Sequence, residues 1–409
     1  VRYRLLETLR AYARERLDHR SNPDTWRHRH AQYYAAFAED LAPALLGPDE
    51  LECRERLVAD LDNLRAAVVW ALDRDDVAER DLGARIVAAL GIESQLNGVL
   101  GIGAWADRAT RVELRGSTPS TLAAVFGAAA WEAIDRGDME RAEQLARQSL
   151  QVGAPDYVSV HEAYMTLACV EGFAGRAEPA LAWMEQALEA ADEHDAGPWV
   201  KIANRGAAAF FASVVGDFEA GRKYAEESLR AARAVGNPSA TVAGLSQVGY
   251  ALWRDEPERA LDALLEGVAL SEHRTMNVML APSLSLAARL EARKGDVDSA
   301  VRHLREAVAH SDENGDDTTL FSTYDRAIRV FAELGRPEPA AVLAGVVTVG
   351  PFRHLTTIGV GPEADDRETM LTRARTELGE DAYRDAVTRG AGMAHDQVLD
   401  YVLEELSDA

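Results

Sequence analysis

Between residues 80 and 348 the apolar positions, mostly Ala and Leu, follow a helical spacing interrupted by short polar turns. Strict alternation and β-branched runs are nearly absent, so almost no sheet is expected. The turns recur. Gly137-Asp-Met-Glu-Arg-Ala142, Gly175-Arg-Ala-Glu-Pro-Ala180, Gly216-Asp-Phe-Glu-Ala-Gly221, Asp255-Glu-Pro-Glu-Arg-Ala260, Gly295-Asp-Val-Asp-Ser-Ala300 and Gly335-Arg-Pro-Glu-Pro-Ala340 begin 38, 41, 39, 40 and 40 residues apart. A weaker copy, Gly101 to Ala106, lies 36 residues before Gly137. Gly suits a left-handed helix end, and Pro and acidic residues suit the start of the next helix. Each turn therefore predicts a helix A, a tight reversal and a helix B.

Small residues stand at fixed offsets from the turn. Seven before it are Ala130, Ala168, Ala209 and Ala288, with Val248 and Ile328 as exceptions. Twelve after it are Ser149, Ala187, Ser228, Gly267, Ala307 and Val347. Small side chains at these places let neighbouring helices approach closely. The offsets resemble the tetratricopeptide repeat, but the period is near 40, the early Trp and terminal Pro are missing, and Asp255 replaces a Gly. The expected fold is all-α, a right-handed α-solenoid of tetratricopeptide-like helix pairs. Pairs are expected at about 80–115, 119–152, 156–194, 199–235, 238–273, 278–311 and 317–348. Residues 349–362, with Pro351, Pro362 and several glycines, read as a loop. Two or three closing helices follow, so 349–409 is expected to be a loop and a C-terminal cap.

Composition removes several function classes. The net charge is −24, from 68 acidic against 44 basic residues. Such a field opposes phosphate backbones and anionic membranes, so no nucleic acid and no membrane partner is expected. Two cysteines, Cys53 and Cys169, are too few for a disulfide framework or a zinc site, and fit a reducing cytoplasm. The chain opens at Val1 in mid-pattern, and a piece of a longer protein is expected.

The opening run Val1-Arg-Tyr-Arg-Leu-Leu-Glu-Thr-Leu-Arg-Ala-Tyr-Ala-Arg-Glu-Arg-Leu17 resembles a motif of bacterial signal-transduction ATPase regulators. Further matching stretches are Arg29 to Tyr34, Asp62-Asn-Leu-Arg-Ala-Ala67, Trp70-Ala-Leu72, and the tail from Leu378-Gly-Glu-Asp-Ala-Tyr383 through Gly390 and Met393. The resemblance implies that residues 1–79 are a helical linker after a truncated winged helix. It also implies an ATPase domain upstream in the same polypeptide, and a DNA-binding or adenylate-cyclase effector. No G-x-x-x-x-G-K-[ST] occurs, so nucleotide hydrolysis by this chain is not expected. The function implied is a sensor arm of a transcriptional regulator, or else the regulatory region of an adenylate-cyclase-type protein. An all-helical enzyme is the remaining alternative.

Candidate chemistry is sparse. His28 and His30 are two apart and diverge on a helix. His161-Glu162 lacks the second His of a zinc-protease helix, and Asp312 to Asp317 resembles a calcium loop only in composition. No catalytic residue, metal ligand or cofactor site is expected. The candidate binding surface is the concave face lined by the A helices. Positions six before the turn include Trp131, Cys169, Phe210, Arg289 and Arg329. Positions two before it include Asp135, Phe173, Val214, Trp253 and Arg293. This predicts a groove that is aromatic in the early repeats (Trp131, Phe173, Phe210, Trp253) and Arg-rich in the later ones (Arg289, Arg293, Arg329). A protein or peptide partner, or a small anionic ligand, is the expected occupant.

Overall fold

The computed structural model describes residues 12–407 except 14, 18, 272–276 and 354–361; the side chains of 277 and 362–364 are also outside the description. Most of the opening motif, residues 1–11, and most of the expected 349–362 loop therefore lie outside the described residues. Residues 12–13 and 15–17 are helical, twenty α-helices follow from Pro23 onward, and the described residues contain no strand. Two long helices come first, α1 (Pro23–Leu45) and α2 (Glu50–Leu72). Three shorter ones follow, α3 (Val77–Ala89), α4 (Gly91–Leu96) and α5 (Ile102–Ala109). Then come six A/B pairs. They are α6 (Pro119–Asp135) with α7 (Met139–Gln151), α8 (His161–Phe173) with α9 (Ala177–Glu193), and α10 (Pro198–Val214) with α11 (Phe218–Val235). The later three are α12 (Pro238–Leu252) with α13 (Pro257–Ser271), α14 (Leu280–Lys294) with α15 (Val297–Glu313), and α16 (Asp317–Glu333) with α17 (Pro337–Thr348). Three closing helices, α18 (Pro362–Leu378), α19 (Glu380–Ala391) and α20 (His395–Glu405), complete the chain.

The turn chemistry explains these boundaries. Gly137, Gly175, Gly216, Gly295 and Gly335 all have φ between 71° and 89°, a left-handed conformation that costs a Cβ-bearing residue about 1 kcal/mol or more. In three of these turns the next residue caps helix B: Asp138, Asp217 and Asp296 accept from the backbone N–H groups of Arg141, Ala220 and Ser299 at 3.1, 3.0 and 3.2 Å. Asp255 is not in the left-handed region, and its turn spends one more residue between helices. The expected pair at 80–115 is instead the three helices α3–α5. Its pattern is broken by Gly91, whose missing Cβ leaves room for Glu162, and by the left-handed Gly101.

The small positions are where the helices meet. Ala130, Ala168, Ala209 and Ala288 are buried, as are Ser149, Ala187, Ser228 and Ala307. The stack then returns on itself. Thr318 at the start of α16 donates to the carbonyl of Ile134 near the end of α6, at 2.5 Å. Asn237, the N-cap of α12, donates to the carbonyls of Leu45 and Gly47 at 3.2 and 2.9 Å. Beside it, buried Glu50 accepts from the Ser239 backbone at 2.8 Å and pairs with Arg54, which is also bonded to Glu93 at 2.8 Å. Early and late parts of the chain thus close around the inner ends of the A helices.

Candidate functional site: a chamber between the A helices

The face turned inward by the coil bounds a half-open cavity of about 260 Å³. Its walls come from α4, α6, α8, α10, α12, α14 and α16, with Val278 and Met279 from the turn before α14. No B helix contributes. Trp131, Phe173 and Phe210 all line it, together with Cys169, Val214, Trp199, Phe211 and Tyr250. Spacing along one helix explains the pairing: Trp131 and Asp135, Cys169 and Phe173, and Phe210 and Val214 are each four apart and share a face. Phe210 stands edge-on to Tyr250, with ring centroids 5.4 Å apart. The Cys169 thiol, pushed up to about 12 by burial and by the nearby Asp135 carboxylate, stays protonated and unreactive.

Polar groups break this apolar wall at a few places. Asp135 and Asp316 reach it from the two ends of the coil. Burial raises the affinity of both carboxyls for protons; Asp135 is raised further by Asp316 and Glu132, against the opposing pull of Arg136. Asp316 caps α16 by accepting from the Thr319 N–H at 2.8 Å. Gln247 and Arg326 also line the cavity, and the Arg326 guanidinium lies over the Tyr250 ring at 5.5 Å. A more polar space of about 590 Å³ adjoins, sharing Gln95, Asp135, Asp316 and Thr319 with the chamber.

The later, Arg-rich part of the predicted groove is filled by the chain itself. Arg289 is bonded to Asp366 of α18 and lies over the Trp253 ring at 4.6 Å. Arg329, almost wholly buried, donates to Asp325 at 3.0 Å and stands 4.0 Å from Asp366; Arg367 of α18 binds the other oxygen of Asp325 at 2.5 Å. Trp253, Arg293, Asp365 and Asp366 line a separate space of about 540 Å³, where Arg293 stands 4.0 Å from Glu333. The expectation of Arg289 and Arg329 open to an anionic ligand is thus corrected: two carboxylates hold them, and they are buried because a paired guanidinium is stable where a lone one is not. The sequence pattern placed these residues on the right helices but could not show which segment covers them. Arg293, half-exposed beside Glu333, remains at a surface.

Several residues escaped the sequence reading. Gln247 and Tyr250, three apart on α12, are the large polar-tipped side chains of a helix otherwise made of small and aliphatic residues, and that contrast was the available signal. Asp316 drew notice only as part of the calcium-like stretch Asp312 to Asp317 and Arg326 carried no local signal, since their meeting with α6 and α12 depends on the coil. His161 and Glu162 turn out to be buried structural groups: burial lowers the imidazole to about 4 and raises the carboxyl to about 8. Among the described residues no cluster of three or more His, Cys, Asp or Glu is placed to hold a metal, and no helix is long and apolar enough to cross a membrane.

Comparison with known proteins supports the architecture. The crystal structure of a Rap protein complexed with competence and sporulation factor is similar to this chain, with a TM-score of 0.55 at 12% identity, covering 91% of this chain and 98% of that one. The likeness is one of fold. In sequence, an 80-residue stretch is 40% identical to an HTH-type transcriptional regulator of Mycobacterium tuberculosis and to its counterpart in Mycobacterium bovis. That stretch spans 19% of this chain and 9% of the length of those relatives. No family model matches the chain. What these likenesses carry is that the chain has an all-α, tetratricopeptide-like repeat fold with a partial, distant similarity to HTH-type regulators.

Proposed function

We propose that this chain is the sensor arm of a larger cytoplasmic transcriptional regulator, and that its sensory element is the chamber between the A helices. The observation that carries the reading is the concavity itself. An apolar, aromatic-lined space with a few polar groups, formed where early and late repeats meet, suits a small ligand or the side chains of a short peptide. A ligand seated there touches both halves of the closure, so it binds the closed coil better than an opened one. That differential affinity is what a sensor needs in order to bias an attached domain. The Rap structure, solved with competence and sporulation factor, is consistent with a coil of this kind holding a signalling partner. The partial likeness to HTH-type regulators supports transcription as the output, and the opening motif supports an ATPase upstream as the element that is biased. In this reading the chain binds and does no chemistry.

The test is to fill the chamber. Ala203 lines it, so Ala203→Phe should occlude it while leaving the turns intact. A neutral apolar dye such as Nile red should brighten with the native chain and lose at least about 1.4 kcal/mol, tenfold, of affinity for the variant. In the full-length regulator the same change should uncouple reporter expression from the inducing condition. Equal dye affinity in a folded variant, with normal signalling, would remove the chamber from the mechanism.

A further inference from the structure

We propose that the chamber selects ligands bearing one cationic nitrogen, seated between Asp135 and Asp316, on an apolar body lying along Trp131, Phe173 and Phe210. The proposal rests on the chamber reading above and names the chemical class that the chamber takes.

Four observations carry it. First, Asp135 and Asp316 come from opposite ends of the coil and face the same space, and among the described residues neither forms an ion pair. Arg136, next to Asp135, is engaged by Glu132 at 2.7 Å. Second, desolvation of these half-buried carboxyls raises the proton affinity of both, and at Asp135 it outweighs the pull of Arg136; a bound cation would oppose it. Third, two side chains of the wall carry buried polar atoms that the protein itself leaves unpaired and that a turn of the side chain would bring to a ligand. The Trp131 Nε1–H and the Gln247 Oε1 are buried without a partner among the described residues, and both side chains are more than nine-tenths buried at 7% and 9% exposure. A buried donor and acceptor left unpaired each cost free energy that a ligand with a carbonyl and an N–H recovers. Fourth, Arg326 stands ten residues along α16 from Asp316, roughly 15 Å at 1.5 Å per residue. The acidic end of the chamber is thus set about three helical turns from the arginine that lines it.

A free amino terminus and a Lys or Arg side chain supply the same nitrogen, and the experiment separates them. Calorimetry on the chain would compare phenethylamine, phenethyl alcohol and phenylacetate. The amine should bind about tenfold or more tighter than the alcohol, and the carboxylate weakest of all. In the double variant Asp135→Asn, Asp316→Asn, the amine and the alcohol should become nearly equal while alcohol binding persists; Asn at 316 still caps α16. A second series uses Leu-Leu-Phe with a free amino terminus, its N-acetyl form, and N-acetyl-Leu-Leu-Phe-Lys amide. Loss of binding on acetylation that the Lys does not restore assigns the site to an amino terminus; restoration assigns it to a basic side chain. Alcohol binding equal to amine binding in the native chain overturns the charge selection and leaves the chamber standing. Binding of none of the three aromatic probes overturns both. The native-chain comparison decides the matter even if the double variant fails to fold.

Discussion

The Thr318 hydroxyl donates to the carbonyl of Ile134, 184 positions earlier in the chain, at 2.5 Å. This bond joins the last A helix to the first, and it lies beside the two carboxyls that face the chamber. The Ile134 carbonyl also accepts from Gly137 N–H at 2.9 Å, so it keeps one partner if Thr318 is lost. Thr318→Val should therefore cost only the net worth of one hydrogen bond, about 1 kcal/mol in urea unfolding. A loss above about 3 kcal/mol would mean that closure at this seam is cooperative with the rest of the fold.

Closing helix α19 crosses α17 with almost no space between backbones. A Cβ at Gly390 would stand 1.9 Å from the Val342 carbonyl, and one at Gly345 would stand 2.0 Å from that of Val387. Neither contact involves a flexible side chain that could yield. Gly390→Ala and Gly345→Ala should each destabilise by about 3 kcal/mol or more, read as a fall in melting temperature. Unchanged melting of either variant would refute this crossing.

Asp325 holds Arg329 and Arg367 at once, and Arg329 is 1% exposed. Removing the carboxylate leaves a buried guanidinium without its main counter-charge. Asp325→Ala should cost about 3–5 kcal/mol, and Arg329→Ala should destabilise rather than merely weaken binding. Equilibrium unfolding of the two variants distinguishes this from a groove of free arginines, in which Arg329→Ala would leave stability almost unchanged.

Burial raises the Glu162 carboxyl to about 8 and lowers the neighbouring His161 imidazole to about 4. Between about pH 4 and 6.5 the unfolded chain binds the His proton and the folded one does not, so stability rises with pH. For Glu162, from about pH 4.5 to 8, the folded chain holds a proton that the unfolded one has released, so stability falls. The two slopes oppose one another up to about pH 6.5. Above it the His161 slope has ended and Glu162 contributes a fall of up to about 1.4 kcal/mol per pH unit until about pH 8. Glu162→Gln should flatten that decline and leave the variant more stable than the native chain at pH 8. Parallel stability curves for the two proteins over this window would contradict the assignment.

Helix identity, turn positions and helix-contact residues were legible along the chain because each depends on near neighbours. A left-handed turn needs Gly, as at Gly137, Gly216 and Gly335. A helix start needs a side-chain acceptor, as at Asp138. Two helices packed backbone to backbone need a side chain as small as that of Ala168. The same periodicity put Trp131, Phe173 and Phe210 on one inward face. The tertiary structure alone decided that the coil closes at Ile134 and Thr318, that Asp316 faces Asp135, and that α18 covers Arg289 and Arg329. Each of these depends on a small rotation accumulated over six helix pairs, and on where the chain returns after the last of them. No pair of sequence neighbours records that sum.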